Sequence, residues 1–579
     1  GVYFTNMGPH DQNWITGSSQ INLRGIDGGT LVLINGVPAS FNNVNHLDML
    51  NLDEVERVEI VKGGGAVLYG SEALGGVVNI ITKDQMKNSL RVAAGNKGQR
   101  DYAATIGMGK ASLALGRNEF GSTGNMTERL GTKKINGTAV PYYIGFGDSK
   151  KDHLAFNYKF DDRFKFSYMF NKKKYTTNYN DVNENILQHF MYDDREHYAQ
   201  IAYNDENGWD AKIYYNQRRI ENPDYYVVNP TNVEWEKSDH KQYGLDTKKV
   251  WRSDKATGLI GISAKRETYK NDNQKFKTFG DSSSILKDPA HFGTYALNNY
   301  SVYGSYDRKL SRATNIIFSA REDLIRSEAG DYNEFLPQIQ AITKFDEHNS
   351  VYASVGKSFR MPTFRNLYYA SSVVVPNPDL EAEHGWNYEI GYKYSENGRR
   401  LNLTAFRIDI KDQIVAVKNL VDNQSYQTNA AKYRNTGIEL RYEQDVDKHF
   451  TYNVGAVFAK PQRMYKEGQA WIDTLGRYQI NGGVNYVNRD FSAALNLSYW
   501  GNRFKNGVSS EKITVTEISS PLLVSNLHLG YNVAKNVTAT FDVDNLFNRK
   551  DIANVGGTSN NNLYYTMGRT FRVGVNYNF

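Results

Sequence analysis

The sequence predicts an all-β transmembrane fold: an antiparallel outer-membrane β-barrel of about 22 strands, with an N-terminal mixed α/β plug inside its lumen. Three observations predict it. From Leu90 to the terminal Phe579 the chain runs as alternating polar and apolar segments. Short polar turns divide that stretch at regular intervals. Ahead of it, residues 51–83 (NLDEVERVEIVKGGGAVLYGSEALGGVVNIITK) read as an acidic helix start, a strand, two glycine turns and a second strand.

The turns set the strand count. Leu154, Phe156, Tyr158 and Phe160 share one face, Asp161-Asp162 reverses the chain, and Phe164, Phe166, Tyr168 and Phe170 return. Period 2 on both arms marks a hairpin. Nine further short turns fall near Gly109-Lys110, Asp205–Gly208, Ser253–Gly258, Asp307–Arg312, Asp346–Asn349, Glu396–Arg399, Gln444–Lys448, Asn488–Asp490 and Ala534–Asn536. Their mean spacing of about 47 residues fits two strands of about ten residues, a short turn and a longer loop. Ten such pairs, with one strand before and one after, give an even count and place both barrel ends on the same side. Closure also removes the unpaired strand edge that lipid does not tolerate.

Composition agrees. The chain has 579 residues, 41 tyrosines, 13% aromatics and only 12 prolines. Its mean hydropathy is −0.61, and no run of apolar residues is long enough for a membrane-spanning helix. A spanning β-strand needs no such run, because only alternate residues face lipid. Without cysteine, the chain carries neither disulfides nor thiolate metal sites. The net charge of +6 is mild for 69 basic and 63 acidic residues and describes a well-solvated surface. Gly1-Val2-Tyr3 has neither the charged nor the apolar region of a leader. The expectation is a chain that starts inside a domain, as a truncated or processed form.

The expected long connections are Gly121–Lys150, Lys174–Arg195, Glu221–Lys241, Asn271–Ala296, Met361–Gly385, Asn419–Arg434, Asn502–Ser520 and Asn548–Met567. Short turns face the periplasm and long loops face outward, where recognition concentrates. A barrel this wide has a lumen to fill. Residues 1–83 form the plug that fills it, with strands at Leu31–Ile34, Val58–Val61 and Val77–Ile81, and residues 84–579 form the barrel.

INLRG (21–25), LVLINGVP (31–38) and VERVEIVKGGGAVLYGSEALGGVVNIITK (55–83) resemble the plug of TonB-dependent outer-membrane receptors. FRMPTFRNLYY (359–369), NPDLEAEHGWNYEIGY (377–392), YRNTGIEL (433–440), DNLFN (544–548) and GRTFRVGVNYNF (568–579) are similar, in order, to motifs of their barrels. The resemblance covers essentially the whole chain. It implies energised import across the outer membrane of a Gram-negative bacterium. A scarce small molecule binds outside, the plug blocks diffusion, and TonB pulls on a box that precedes the plug. No such box precedes Gly1. The resemblance further implies contact with lipopolysaccharide, a monomer, no nucleic acid and no permanently bound cofactor. The alternating last strand ending at Phe579 looks like a barrel-insertion signal.

The resemblance also implies a charge lock between plug and barrel. The matching positions are Lys62, Glu389 and Glu439, with Arg24 and Arg57 as further basic candidates. A carboxylate inside the lumen is costly unless paired. The chain departs from the family pattern at Lys62, where arginine is usual and would supply a bidentate fork. It departs again at Gly64, where proline is common, and at Asn35, where aspartate is common. These changes predict a looser lock.

For the ligand, the expected classes are a ferric siderophore first, then haem, then cobalamin or another large nutrient. Haem would be held by two axial ligands. His46 in the plug and His384 just past NPDL are the histidine candidates, with Tyr368 and Tyr369 between the two loop motifs. A siderophore would meet aromatic and cationic groups, for which Tyr225, Tyr226, Trp235, Tyr564, Tyr565, Arg360 and Arg365 are candidates and Trp471 a weaker one. A passive porin or adhesin needs an open lumen, against residues 21–83. No G-x-S-x-G, HExxH or acid pair supports an enzyme. The plug glycines lack the spacing of a nucleotide site.

Overall fold

The computed structural model describes the chain apart from residues 1, 6–19, 27, 43, 46, 48, 49, 136, 228–232, 236, 273, 277–284, 287–291, 371–373, 423, 519 and 557–561. An antiparallel barrel of 22 spanning strands closes where the first, Ser89–Gly95, pairs with the last, Thr570–Asn578. All ten expected turns join two spanning strands, as between Thr138–Lys159 and Phe164–Asn180. In that hairpin Leu154 faces Phe170, Phe156 faces Tyr168 and Tyr158 faces Phe166. Outward positions form an apolar belt that includes Leu90, Val92, Ile213, Ile262 and Tyr300. Inward positions are polar and buried, among them Asn157, Asn171, Asn216, Gln242 and Asn387. The alternation read from the sequence is this division between lipid and lumen.

The outward connections are shorter than expected, because the strands continue into them. Lys174–Arg195 is mostly strand: the arms are Phe164–Asn180 and Ile186–Asn204, leaving 181–185 as the loop. Lys173 faces Asp194 and Lys174 faces Asp193, so opposite charges extend the pairing. Much of Gly121–Lys150 likewise belongs to the 22-residue strand Thr138–Lys159. At about 3.3 Å per residue and roughly 40° tilt, such a strand rises about 55 Å, twice the ~25 Å apolar band. The barrel wall therefore projects well beyond the membrane.

The plug is built on a four-stranded sheet in the order Val37–Pro38, Thr30–Ile34, Gly76–Thr82, Val55–Lys62, in which the central pair is parallel. Its faces bury Leu31, Leu33, Ala73 and Val77 on one side and Leu23, Val32, Val78 and Ile80 on the other. The acidic start at 51–54 is a single 3-10 turn, Leu52–Glu54, capped by Asn51 and ended by the strand at Val55. Gly63–Leu68 is also 3-10, as a glycine run with poor α-helix propensity allows. Helical structure among the described plug residues is thus less than an α/β module suggests. Gly76 has φ +139°, and a Cβ there would meet the Val61 carbonyl oxygen at 2.2 Å. Only glycine fits this crossing.

Candidate functional site: the plug-barrel interface and vestibule floor

Arg24 follows the strand Gln20–Leu23 in the left-handed region, φ 54°. Tyr433 Oη and Asn435 Nδ2 hold its carbonyl from the barrel wall at 3.0 and 2.9 Å. Those two bonds fix a backbone that an arginine adopts only at some cost. Its guanidinium pairs with Glu389, lies over the Phe406 ring at 4.3 Å, and places Nε 3.8 Å from Glu439. Lys62 Nζ reaches Glu439 Oε2 at 2.8 Å. Two plug cations and two barrel carboxylates therefore form one neutral cluster, walled by Ile26, Leu74, Ile408 and Ile410. Arg57 does not reach it. Its ion pairs are with Glu56 and Glu59 in its own exposed strand, because the alternation that turns Lys62 to the wall turns Arg57 away.

The sequence reading missed a second buried pair. Glu54, at the end of the 3-10 turn, meets His153 Nε2 of the barrel, both side chains 2% exposed. His153 Nδ1 lies 2.5 Å from Asn171 Oδ1. In ring order His153 stands on the fourth spanning strand, and Glu389 and Glu439 on the fourteenth and sixteenth. The two clusters thus grip opposite sides of the plug. Beside the Glu54–His153 pair lies a small hollow between plug and wall, lined by Asn35, Thr82, Asn157, Ser167, Gln200 and Asn216. Asp53–Arg91 at 3.0 Å and Asp84–Lys165 add ties near the plug's last strand. The period-2 pattern places His153 on the luminal face, but no sequence signal names a partner 99 residues away.

On the extracellular side, a narrow cavity lies over plug residues Ser71 and Glu72. His240, Lys265, Glu267, Asn299 and the segment Met361–Leu367 complete its walls. Glu72 has φ 76° and its carboxylate accepts from the Ser40 hydroxyl at 2.5 Å. Burial pushes its carboxyl above the usual range, opposed by Lys265, the Ser40 bond and Arg360. Arg360 is paired with Glu383 at 2.5 Å. Thr363 caps the short helix Phe364–Tyr368 through a capping box with Asn366. This helix carries an aromatic cluster: Phe364 stacks on Tyr269 and meets His240 edge-on, and Tyr368 stacks on Tyr295 at 3.8 Å.

The remaining candidates divide. Arg365 lies over the Tyr369 ring at 4.2 Å on that helix. His384 Nε2 stands between both Glu334 oxygens at 2.9 and 3.0 Å. Tyr225 and Tyr226 lie on the extended strand Trp209–Val227, opposite Phe190 and His189. Trp235 belongs to the short strand Val233–Trp235, paired with Gln274–Phe276. His46 lies outside the described residues. Tyr564 is 1% exposed in a loop core with Met126, Ile144 and Phe146, so its ring is withheld from a ligand by packing. Tyr565 donates to Glu128 Oε1 at 2.6 Å, at the edge of that core. Arg434 covers the Trp471 ring at 4.2 Å.

A closed 22-stranded barrel filled by a plug held through buried charges defines a gated outer-membrane receptor rather than an open pore. The family models "TonB dependent receptor-like, beta-barrel" and "TonB-dependent Receptor Plug Domain" match residues 136–546 and 3–77. The chain belongs to the TonB-dependent receptor family of the Gram-negative outer membrane. It is similar over its whole length to solved structures of this fold. A point variant of the ferric enterobactin receptor PfeA of Pseudomonas aeruginosa is 17% identical, with TM-score 0.75 over 94% of that chain. The siderophore receptor PirA of Acinetobacter baumannii is 16% identical, with TM-score 0.71 over 94% of its chain. P. aeruginosa FpvA bound to a heterologous pyoverdine is 14% identical, with TM-score 0.72 over 82% of its chain.

Proposed function

We propose that this receptor imports a ferric siderophore, and that its ligand rests on the floor formed by Ser71, Glu72 and the Thr363–Leu367 segment. The observation that carries this is the floor cavity, where Phe364, stacked on Tyr269 and edge-on to His240, lies across from Lys265 and its partner Glu267. Stacked rings at the floor suit an aromatic chelate. Arg365 on that helix and Tyr369 at its C-terminal cap stand as contacts for its rim. The named siderophore receptors share the fold and support the reading. Haem is less well served. His384 Nε2 is held by Glu334 and so is not free as an axial ligand.

In this reading residues 1–83 act as the gate and 84–579 as the wall, and the Arg24–Glu389 and Lys62–Glu439 pairs are the lock that TonB opens. The receptor acts as a monomer, among lipopolysaccharide, and makes and breaks no covalent bond. Quenching of intrinsic fluorescence by ferric catecholate and hydroxamate siderophores, haem and cobalamin, in parallel, tests the substrate. Saturable binding of a ferric chelate, weakened at least tenfold in Phe364→Ala, is expected. Saturable haem binding with a Soret shift, and none with any chelate, would overturn it.

A further inference from the structure

At one place the barrel wall is not laddered to its full height. Between the strands Gly330–Lys344 and Asn349–Arg360, backbone pairing runs from Lys344–Ser350 up to Gln338–Gly356 and stops. On their other sides both strands go on pairing. Gly330–Lys344 follows Thr314–Ser327 as far as Gly330, and Asn349–Arg360 follows Glu383–Glu396 as far as Arg360. Pro337 is the first residue above the last pair, and it has no N–H to offer a ladder.

Height gives this seam its meaning. Gln338 lies six positions from the periplasmic end of its strand. At about 3.3 Å per residue and roughly 40° tilt, that is about 15 Å, so the ladder ends inside the ~25 Å apolar band, in its outer half. Phe335 on one side, and Trp386 and Tyr388 on the other, are exposed on the outer face beside the seam. Lipid does not tolerate an open strand edge, and here side chains close it.

Buried Glu334 bridges the seam, 2.9 Å from His384 Nε2 and 3.6 Å from Lys357 Nζ. Higher up, the Tyr332 hydroxyl donates to the Leu380 carbonyl at 2.9 Å. Below Glu334, Leu336 and Phe359 belong to one apolar cluster. That cluster continues inward through Ile325, Leu297, Met361 and Phe364, which line the floor cavity. An apolar path thus joins the vestibule floor to the outer leaflet. It is shut by the packing of Leu336 and Phe359 and by a charged latch, so opening it breaks no ladder bond between the two strands. An apolar lining under a polar latch suits one flexible hydrocarbon chain and excludes a charged group.

Building on the import reading, we propose that the ferric chelate this receptor takes is acylated. The chelate sits on the floor, and its tail passes between Leu336 and Phe359 into the outer leaflet, with Glu334 as the latch. The test uses the receptor in lipid nanodiscs. Ferric catecholate and hydroxamate chelates, each made with and without a dodecanoyl tail, are titrated by fluorescence quenching. The chelate that binds should do so at least tenfold more tightly with its tail, the worth of about two buried methylenes. Glu334→Cys/Lys357→Cys, joined across the seam by a short bismaleimide in this otherwise cysteine-free chain, should lose that advantage and still bind the untailed chelate. The same double variant left unjoined should keep the advantage. All forms share one bilayer, so partition of the tail into lipid cancels in the comparison. A diazirine in the middle of the tail should label peptides carrying Leu336 or Phe359. No advantage from the tail, an equal advantage in joined and unjoined forms, or no label at the seam would overturn the proposal. Binding of neither tailed nor untailed chelate would instead overturn the import reading, and this inference with it. Heat-modifiable migration on gels confirms that each barrel is folded.

Discussion

Replacing Glu389 by glutamine leaves Arg24 buried with half of its compensation. The guanidinium is 1% exposed and Glu389 is 7% exposed, so water cannot replace the lost charge. What remains for Arg24 is Glu439 at 3.8 Å and the Phe406 ring. Breaking a buried pair from one side costs roughly 3–5 kcal/mol, and the remaining partner argues for the lower end, about 3 kcal/mol. Glu439→Gln is a milder change. It strands Lys62, which is 30% exposed and can turn to water, while Arg24 keeps Glu389. About 1–2 kcal/mol is expected there. A difference of 3 kcal/mol shifts the ratio of docked to released plug by about 150-fold. The chain has no cysteine, so a fluorophore on the exposed plug residue Val58, changed to cysteine, reports plug release alone. Urea titration of the three forms should rank them wild type, Glu439→Gln, Glu389→Gln, with the barrel intact throughout. Equal midpoints, or a larger loss in Glu439→Gln, would refute the neutral four-charge cluster.

The second grip gives a separate expectation. His153→Ala leaves Glu54 buried without its partner, at a cost of about 1–3 kcal/mol. Because the two clusters stand on opposite walls, its urea shift should add to that of Glu389→Gln within about 0.5 kcal/mol. Gly76→Ala forces a Cβ against the Val61 carbonyl. The plug should fail to dock and ligand binding should vanish, while the barrel still shows heat-modifiable migration on gels. Glu72→Gln probes the floor. Burial holds the Glu72 carboxyl above its usual range, against Lys265. Its contribution to stability is therefore full below the normal carboxylate pKa and falls as pH rises through the raised one. Thermal melts from pH 4 to 7 should decline less steeply in Glu72→Gln than in wild type, and an unchanged slope would count against a titrating Glu72.

The barrel was legible because lipid and lumen impose period 2, and because Asp, Asn and Gly mark the turns. Leu154 and Phe170 face each other as the alternation predicts. Charge signs across the strands were harder to use. Lys174 reads as the start of a solvated loop until Asp193 is placed opposite it, which requires the register. The resemblance singled out Lys62, Glu389 and Glu439, which the structure brings together with Arg24. It also admitted Arg57, since a basic residue in the right strand gives no clue to which side it faces. Glu54–His153 stayed hidden because an ion pair across the lumen leaves no local pattern. Tyr564 illustrates the same limit from the other side. A tyrosine in an outward loop reads as available, and only the packing of Met126 and Phe146 shows that it is not.

The plug's attachments also bear on the order in which the molecule is made. Arg24 and Glu389 are 365 residues apart in the chain, and Lys62 and Glu439 are 377 apart. Contacts of such separation form late, after the intervening loops have been closed. During barrel assembly this side of the plug therefore has nothing to dock against until most of the wall exists. Glu54 finds His153 only 99 residues on, so that grip is available earlier. The growing wall could thus hold its passenger by one side while the other is still being laid down, and the final seam between Ser89–Gly95 and Thr570–Asn578 would close around a plug already tethered.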